Sequence, residues 1–182
     1  AVLLSCLTAT AEERAIQPLL QEYHEVIAKS SRKTIAPVIN AIATSGSPKA
    51  QLVLETWTAK AMWMRKSDGV FFVGEKIDSK IYQLIDFDSG QVVGNYPKKE
   101  LKQLKPNSGI RAMIATALVM FQLSDPDKAK RHGALTSIQR DPEAALLAPL
   151  RASIETEPDA ALKTQKQRLE RLLTIGYDDN TQ

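Results

Sequence analysis

Ser124-Asp125-Pro126-Asp127, Arg140-Asp141-Pro142-Glu143 and Thr156-Glu157-Pro158-Asp159 decide how the second half of this chain is read. The three prolines, 126, 142 and 158, recur at an interval of 16 residues. Proline is at home in the first turn of a helix, where its missing N–H costs nothing. An acidic residue before it caps that end and sits well against the positive pole of the helix. Each acidic-Pro pair therefore predicts a helix start. The interval holds a helix of about three turns and a short connection. Successive short helices joined by tight turns run antiparallel, which is the unit of an α-solenoid. Repeats of that kind hold partners more often than they do chemistry, so a non-enzymatic role is the starting expectation.

Working back from these pairs, a long helix is predicted over about 107–123. Ile110, Ile114, Leu118 and Phe121 mark one face, and Met113, Ala117 and Met120 widen it, so this helix should be central. Further on, Leu146, Leu147, Leu150 and Ile154 line one helix, and Leu162, Leu169, Leu172 and Leu173 line the last. Gly176 is placed to stop it, before a polar tail over 177–182. Nearer the start, Ile16, Leu19, Leu20, Tyr23 and Ile27 predict a helix over about 15–29. Ile35, Val38, Ile39 and Ile42 predict a second over about 33–44. Ser45-Gly46-Ser47-Pro48 ends it and opens a third, with Leu54, Trp57, Ala61 and Met64 on one face. Between these helical sections, Val70–Val73, Ile81–Phe87 and Gln91–Val93 are β-prone, with Asp88-Ser89-Gly90 as a hairpin turn.

The expected fold is mainly α: HEAT-like antiparallel helical repeats with a small inserted antiparallel β-unit. The expected divisions are a helical section over 12–66, the β-unit over 67–96 and the repeats over 97–176. Residues 1–11 stand apart. Ala1-Val2-Leu3-Leu4-Ser5-Cys6-Leu7 followed by Ala9-Thr10-Ala11 and Glu12-Glu13 reads first as the remnant of a secretory signal peptide. A lipidated Cys6 and an ordinary first helical turn are the alternatives. The signal reading places the domain in the periplasm, on the extracytoplasmic side of the inner membrane.

Composition narrows the partners. Apolar residues make up 43% of the 182-residue chain and aromatics only 5%, so the core must be aliphatic. The net charge of +3 is spread along the chain, which speaks against nucleic-acid binding. No stretch reaches the roughly 20 apolar residues of a membrane span. Cys6 is the one cysteine, so no internal disulfide forms.

Chemistry-bearing motifs are scarce. His24 and His132 fall in different helices without ligand partners at helical spacing, and read as surface or packing residues. Asp86 and Asp88 share a strand face and are a possible cation or acid–base pair, although hairpin turns favour Asp for local reasons. No nucleophile elbow, P-loop, dinucleotide fingerprint or zinc helix motif is present. No catalytic residue, metal site or cofactor is expected. The best positive feature is basic: Lys98, Lys99, Lys102 and Lys105, with Arg111 soon after. On a helix, 98, 102 and 105 would share a face able to meet an acidic partner, lipid headgroups or phosphates. Otherwise the segment is a solvated linker.

Ile110-Arg111-Ala112 through Phe121-Gln122-Leu123-Ser124-Asp125-Pro126-Asp127, then Gln139-Arg140-Asp141-Pro142-Glu143, resembles the N-terminal extracytoplasmic part of the urea-type ABC transporter permease, of the branched-chain amino-acid permease group. The resemblance covers most of the chain diffusely, and the long helix running into Leu-Ser-Asp-Pro-Asp is its distinctive part. It implies HEAT-like repeats, no enzymatic activity, and a membrane permease region to follow. The implied partners are a periplasmic solute-binding protein and the other transporter subunits. It carries over no ligand residues. The alternative expectation is a free-standing HEAT-like scaffold for protein–protein interaction.

Overall fold

The computed structural model describes residues 14–178. The predicted signal remnant with Cys6, and the tail from 179 on, lie outside the described residues. Four short helices come first: α1 (Gln17–Glu22), α2 (His24–Ala28), α3 (Ala36–Ala43) and α4 (Ala50–Thr58). Five strands follow: β1 (Met62–Arg65), β2 (Phe71–Lys76), β3 (Ile81–Ile85), β4 (Val92–Pro97) and β5 (Leu101–Gln103). A 3-10 turn, Lys98–Glu100, separates the last two. The chain closes with α5 (Ser108–Gln122), α6 (Lys128–Arg140), α7 (Leu147–Glu155) and α8 (Ala160–Asp178).

The expected α-solenoid with a β insertion does not form. The molecule is a mixed fold, 54% helix and 15% strand, in which a sheet packs against helices. The sheet is antiparallel throughout, in the order β4-β3-β2-β1-β5. Its first and last strands fall outside 67–96. The third predicted helix shows why. Leu54 and Trp57 do lie buried on α4, but that helix ends at Thr58, and Lys60 turns the chain with a φ of 60°. Ala61 and Met64 continue the helical spacing only by coincidence. In β1, Met62 and Trp63 are both buried because the sheet buries both of its faces.

One face of the sheet, with Met62, Phe71 and the partly buried Met64 and Val73, joins the core of α1–α5 around Leu20, Ile39, Leu54 and Trp57. The other face buries Trp63, Phe72, Leu84 and Leu101, with Tyr82 and Tyr96 packed against them. The sheet curls around that second cluster. Arg65 of β1 donates to the Tyr96 hydroxyl of β4 at 2.7 Å, although two strands lie between them in the sheet. The same guanidinium stands 4.8 Å from the Phe72 ring centroid. The Trp63 ring lies over β2 at Gly74 and requires a glycine there: a Cβ would sit 2.2 Å from Cδ1 of Trp63.

The helical end is also less regular than the proline spacing predicts. Pro126 and Pro158 stand two residues before α6 and α8. Asp127 and Asp159 cap those helices, accepting from Ala129 N and Leu162 N. Asp141, by contrast, ends α6, and Pro142 leads into a 3-10 turn at Ala144–Leu146. The last two helices have 9 and 19 residues, so they do not stack as equal repeats. Leu150, Leu162 and Leu169 form a second helical core with Leu135 and Ile138. α5 joins the two cores: Ile110 and Ile114 belong to the first and Val119 to the second. Leu172, predicted to line α8 inward, is instead 60% exposed, and Gly176 does not stop that helix.

Candidate docking surface

Several predicted polar features turn out to hold the fold. Asp88 in the β3–β4 turn accepts from the backbone N–H groups of Ile16 (2.7 Å) and Gln17 (3.0 Å), so it caps α1 from across the sequence. Asp86 accepts from Ser89 N within its own turn. The two carboxylates are committed to separate backbone groups and form no acid–base pair. The His24 ring packs 5.9 Å from Phe71, and His132 is exposed on α6. Among the described residues no group of three or more His, Cys, Asp or Glu side chains is arranged to hold a metal ion.

A buried charge cluster joins the four C-terminal helices. Glu157, with its side chain fully buried, accepts from Arg131 (Nε, 3.0 Å) and Lys166 (2.8 Å). Arg131 also donates to the carbonyls of Asp125 and Pro126, and Lys166 to those of Leu123 and Ser153. Burial pushes the Glu157 carboxyl up, but hydrogen bonds from Lys166 and Arg131 outweigh it and hold the group below its ordinary range. The acidic residue expected to cap the last helix is thus the hub of an ion cluster.

The predicted basic patch is divided. Residues 98–105 form a 3-10 turn and a strand and no α-helix, so Lys98, Lys102 and Lys105 share no helix face. Lys102, opposite Met64 on β5, donates its ammonium to the Ala28 carbonyl at the end of α2, a cation at the negative end of a helix. Lys105 follows β5, and Arg111 lies in the first turn of α5; both are exposed. Lys98 and Lys99 have other company. Lys98 N donates to Lys80 O, and the Lys66 ammonium donates to Lys99 O. Lys66, Lys80, Lys98 and Lys99 therefore gather around the 3-10 turn, and none forms an ion pair among the described residues. Sequence spacing gives no sign of Lys66 and Lys80, because only strand pairing and the curl of the sheet bring them there.

A groove of about 460 Å³ lies between α3, α5 and the α6–α7 connection. Ile39, Met113, Met120 and Leu146 make its apolar floor, with Arg32 on one rim and Asp141 and Glu143 on the other. Its size falls in the range of small-ligand and peptide clefts. The methionines give it an adaptable surface. No protein-family model, curated protein or solved structure matches this chain.

Proposed function

We propose that this chain is a docking domain on the extracytoplasmic side of an ABC importer permease for urea or a related small solute. It acts in holding the solute-binding protein near the membrane pore, or in assembling the transporter, and performs no chemistry. Family resemblance in the run from Ile110 to Asp127 supports the transporter setting. The observation that carries the docking role is the gathering of Lys66, Lys80, Lys98 and Lys99 around the 3-10 turn. Exposed lysines without ion pairs raise the rate of encounter with an acidic surface more than they lengthen its residence. Tethering a partner there raises its effective concentration at the pore.

Two experiments test this. Beyond residue 182 the importer reading requires further coding sequence with several apolar spans of about 20 residues; their absence overturns it. Docking is read by titrating the purified domain with the solute-binding protein encoded beside it. Reversing Lys66, Lys80, Lys98 and Lys99 to Glu is expected to slow association at least tenfold and to flatten its salt dependence. Reversing Lys105 and Arg111 is expected to change little. Equal binding by the two variants would remove the lysine cluster from the docking surface.

A further inference from the structure

The α8 helix presents an exposed apolar stripe. Leu172 and Ile175 are each 60% exposed on its outer face, and Arg168 and Arg171 stand beside them. The spacing 168, 171, 172, 175 is that of helix anchors that enter a groove. Neither arginine forms an ion pair among the described residues. We infer that this stripe docks into the α3–α5 groove of a second copy of this chain. The complementarity is specific. Leu172 and Ile175 match a floor of Met113, Met120 and Leu146, while Arg168 and Arg171 match Asp141 and Glu143, which are likewise without ion-pair partners.

Dimensions and charge agree with this. The α8 stripe spans about 10 Å along its helix, and the α5 wall of the groove, from Gly109 to Met120, spans about 16 Å. Arg32 on the opposite rim repels the arginines, so one orientation is favoured over its reverse. The stripe and the groove are lined by different elements: no α8 residue lines the groove. The contact is therefore head-to-tail, and a dimer keeps one free groove on one copy and one free stripe on the other. This inference stands on the helical end of the molecule and does not use the lysine cluster.

The test is sedimentation of the full 182-residue chain over a wide concentration range, with two variants at exposed positions. The chain itself is expected to form a concentration-dependent ladder beyond the dimer. Leu172→Glu spoils the stripe and Glu143→Arg spoils the groove; each alone is expected to sediment as a monomer, with an unchanged helical circular-dichroism signal. Mixed, the two variants are expected to give a 1:1 dimer that grows no further, because only one intact stripe and one intact groove are left between them. A chain that stays monomeric at all concentrations overturns the inference. So does a closed dimer that survives both substitutions, or a mixture of the two variants that fails to associate.

Discussion

Glu157 shows how a residue can be placed correctly along the chain and still be misread. Its position before Pro158 predicts a helix cap, and it does accept from Asp159 N. Folding gives it the larger task of neutralising Arg131 and Lys166, the latter only 1% exposed. Removing one member of a buried ion cluster strands the others, which typically costs about 3–5 kcal/mol. Glu157→Gln is therefore expected to lower stability by about that amount in urea unfolding. The pH dependence has a definite sign. The folded carboxyl lies below its unfolded value of about 4.3, so the stability it brings is complete above that pH. It drains away as pH falls through the lower, folded value. The wild-type chain should lose stability on acidification through this range more steeply than Glu157→Gln; parallel acid limbs would show that folding does not hold the Glu157 carboxyl below its ordinary range. Gly74 is a second residue whose reason is tertiary. Gly74→Ala forces the new methyl into Trp63 and is expected to cost about 1–3 kcal/mol, with a changed near-ultraviolet tryptophan signal.

At the scale of elements, two of the three helix starts were legible to within two residues, but the caps are not the predicted ones: Asp127 and Asp159, after the prolines, cap α6 and α8 in place of Asp125 and Glu157. Asn107, which accepts from Ile110 N at the start of α5, and Asp127 at α6 need only neighbours a few residues away. The cap on α1 was not legible, because Asp88 reaches it from 71 and 72 residues further along. An N-cap carboxylate is worth about 1 kcal/mol. Asp88→Ala is expected to destabilise by that order and to speed proteolytic cleavage near Arg14; cleavage at the wild-type rate would mean that the cap does not hold α1 down. The same distance effect governs the sheet. Val70–Val73 and Ile81–Phe87 announced themselves as strands by composition. β1 and β5 did not, because one continues the spacing of a preceding helix and the other is three residues of a lysine-rich segment. β1 becomes a strand by pairing with β2 on one side and β5 on the other, and β5 by pairing with β1, with Met64 opposite Phe71 and Lys102.

Across the whole molecule, α5 is the shared wall of two cores. Ile110 and Ile114 face the core that includes the sheet, and Val119 faces the core that includes α7 and α8. Both tryptophans lie in the sheet-bearing half, whereas helix signal comes from both halves. If α5 couples the cores, unfolding followed by tryptophan fluorescence and by far-ultraviolet circular dichroism should share one midpoint. Separate midpoints would mean that α6–α8 fold as an independent unit.

By itself the sequence determined a mostly aliphatic core, most of the helix positions and the two inner hairpin strands. Those features rest on periodicity and local hydrogen bonding, which a linear reading contains. Only the tertiary structure decided that the chain is a mixed fold and not a solenoid. It also decided which lysines stand together, that Glu157 is a buried counter-ion, and that a groove opens beside α5. Each of these depends on residues far apart in sequence meeting across a curled sheet or between unequal helices, and the order of the residues along the chain does not specify that meeting.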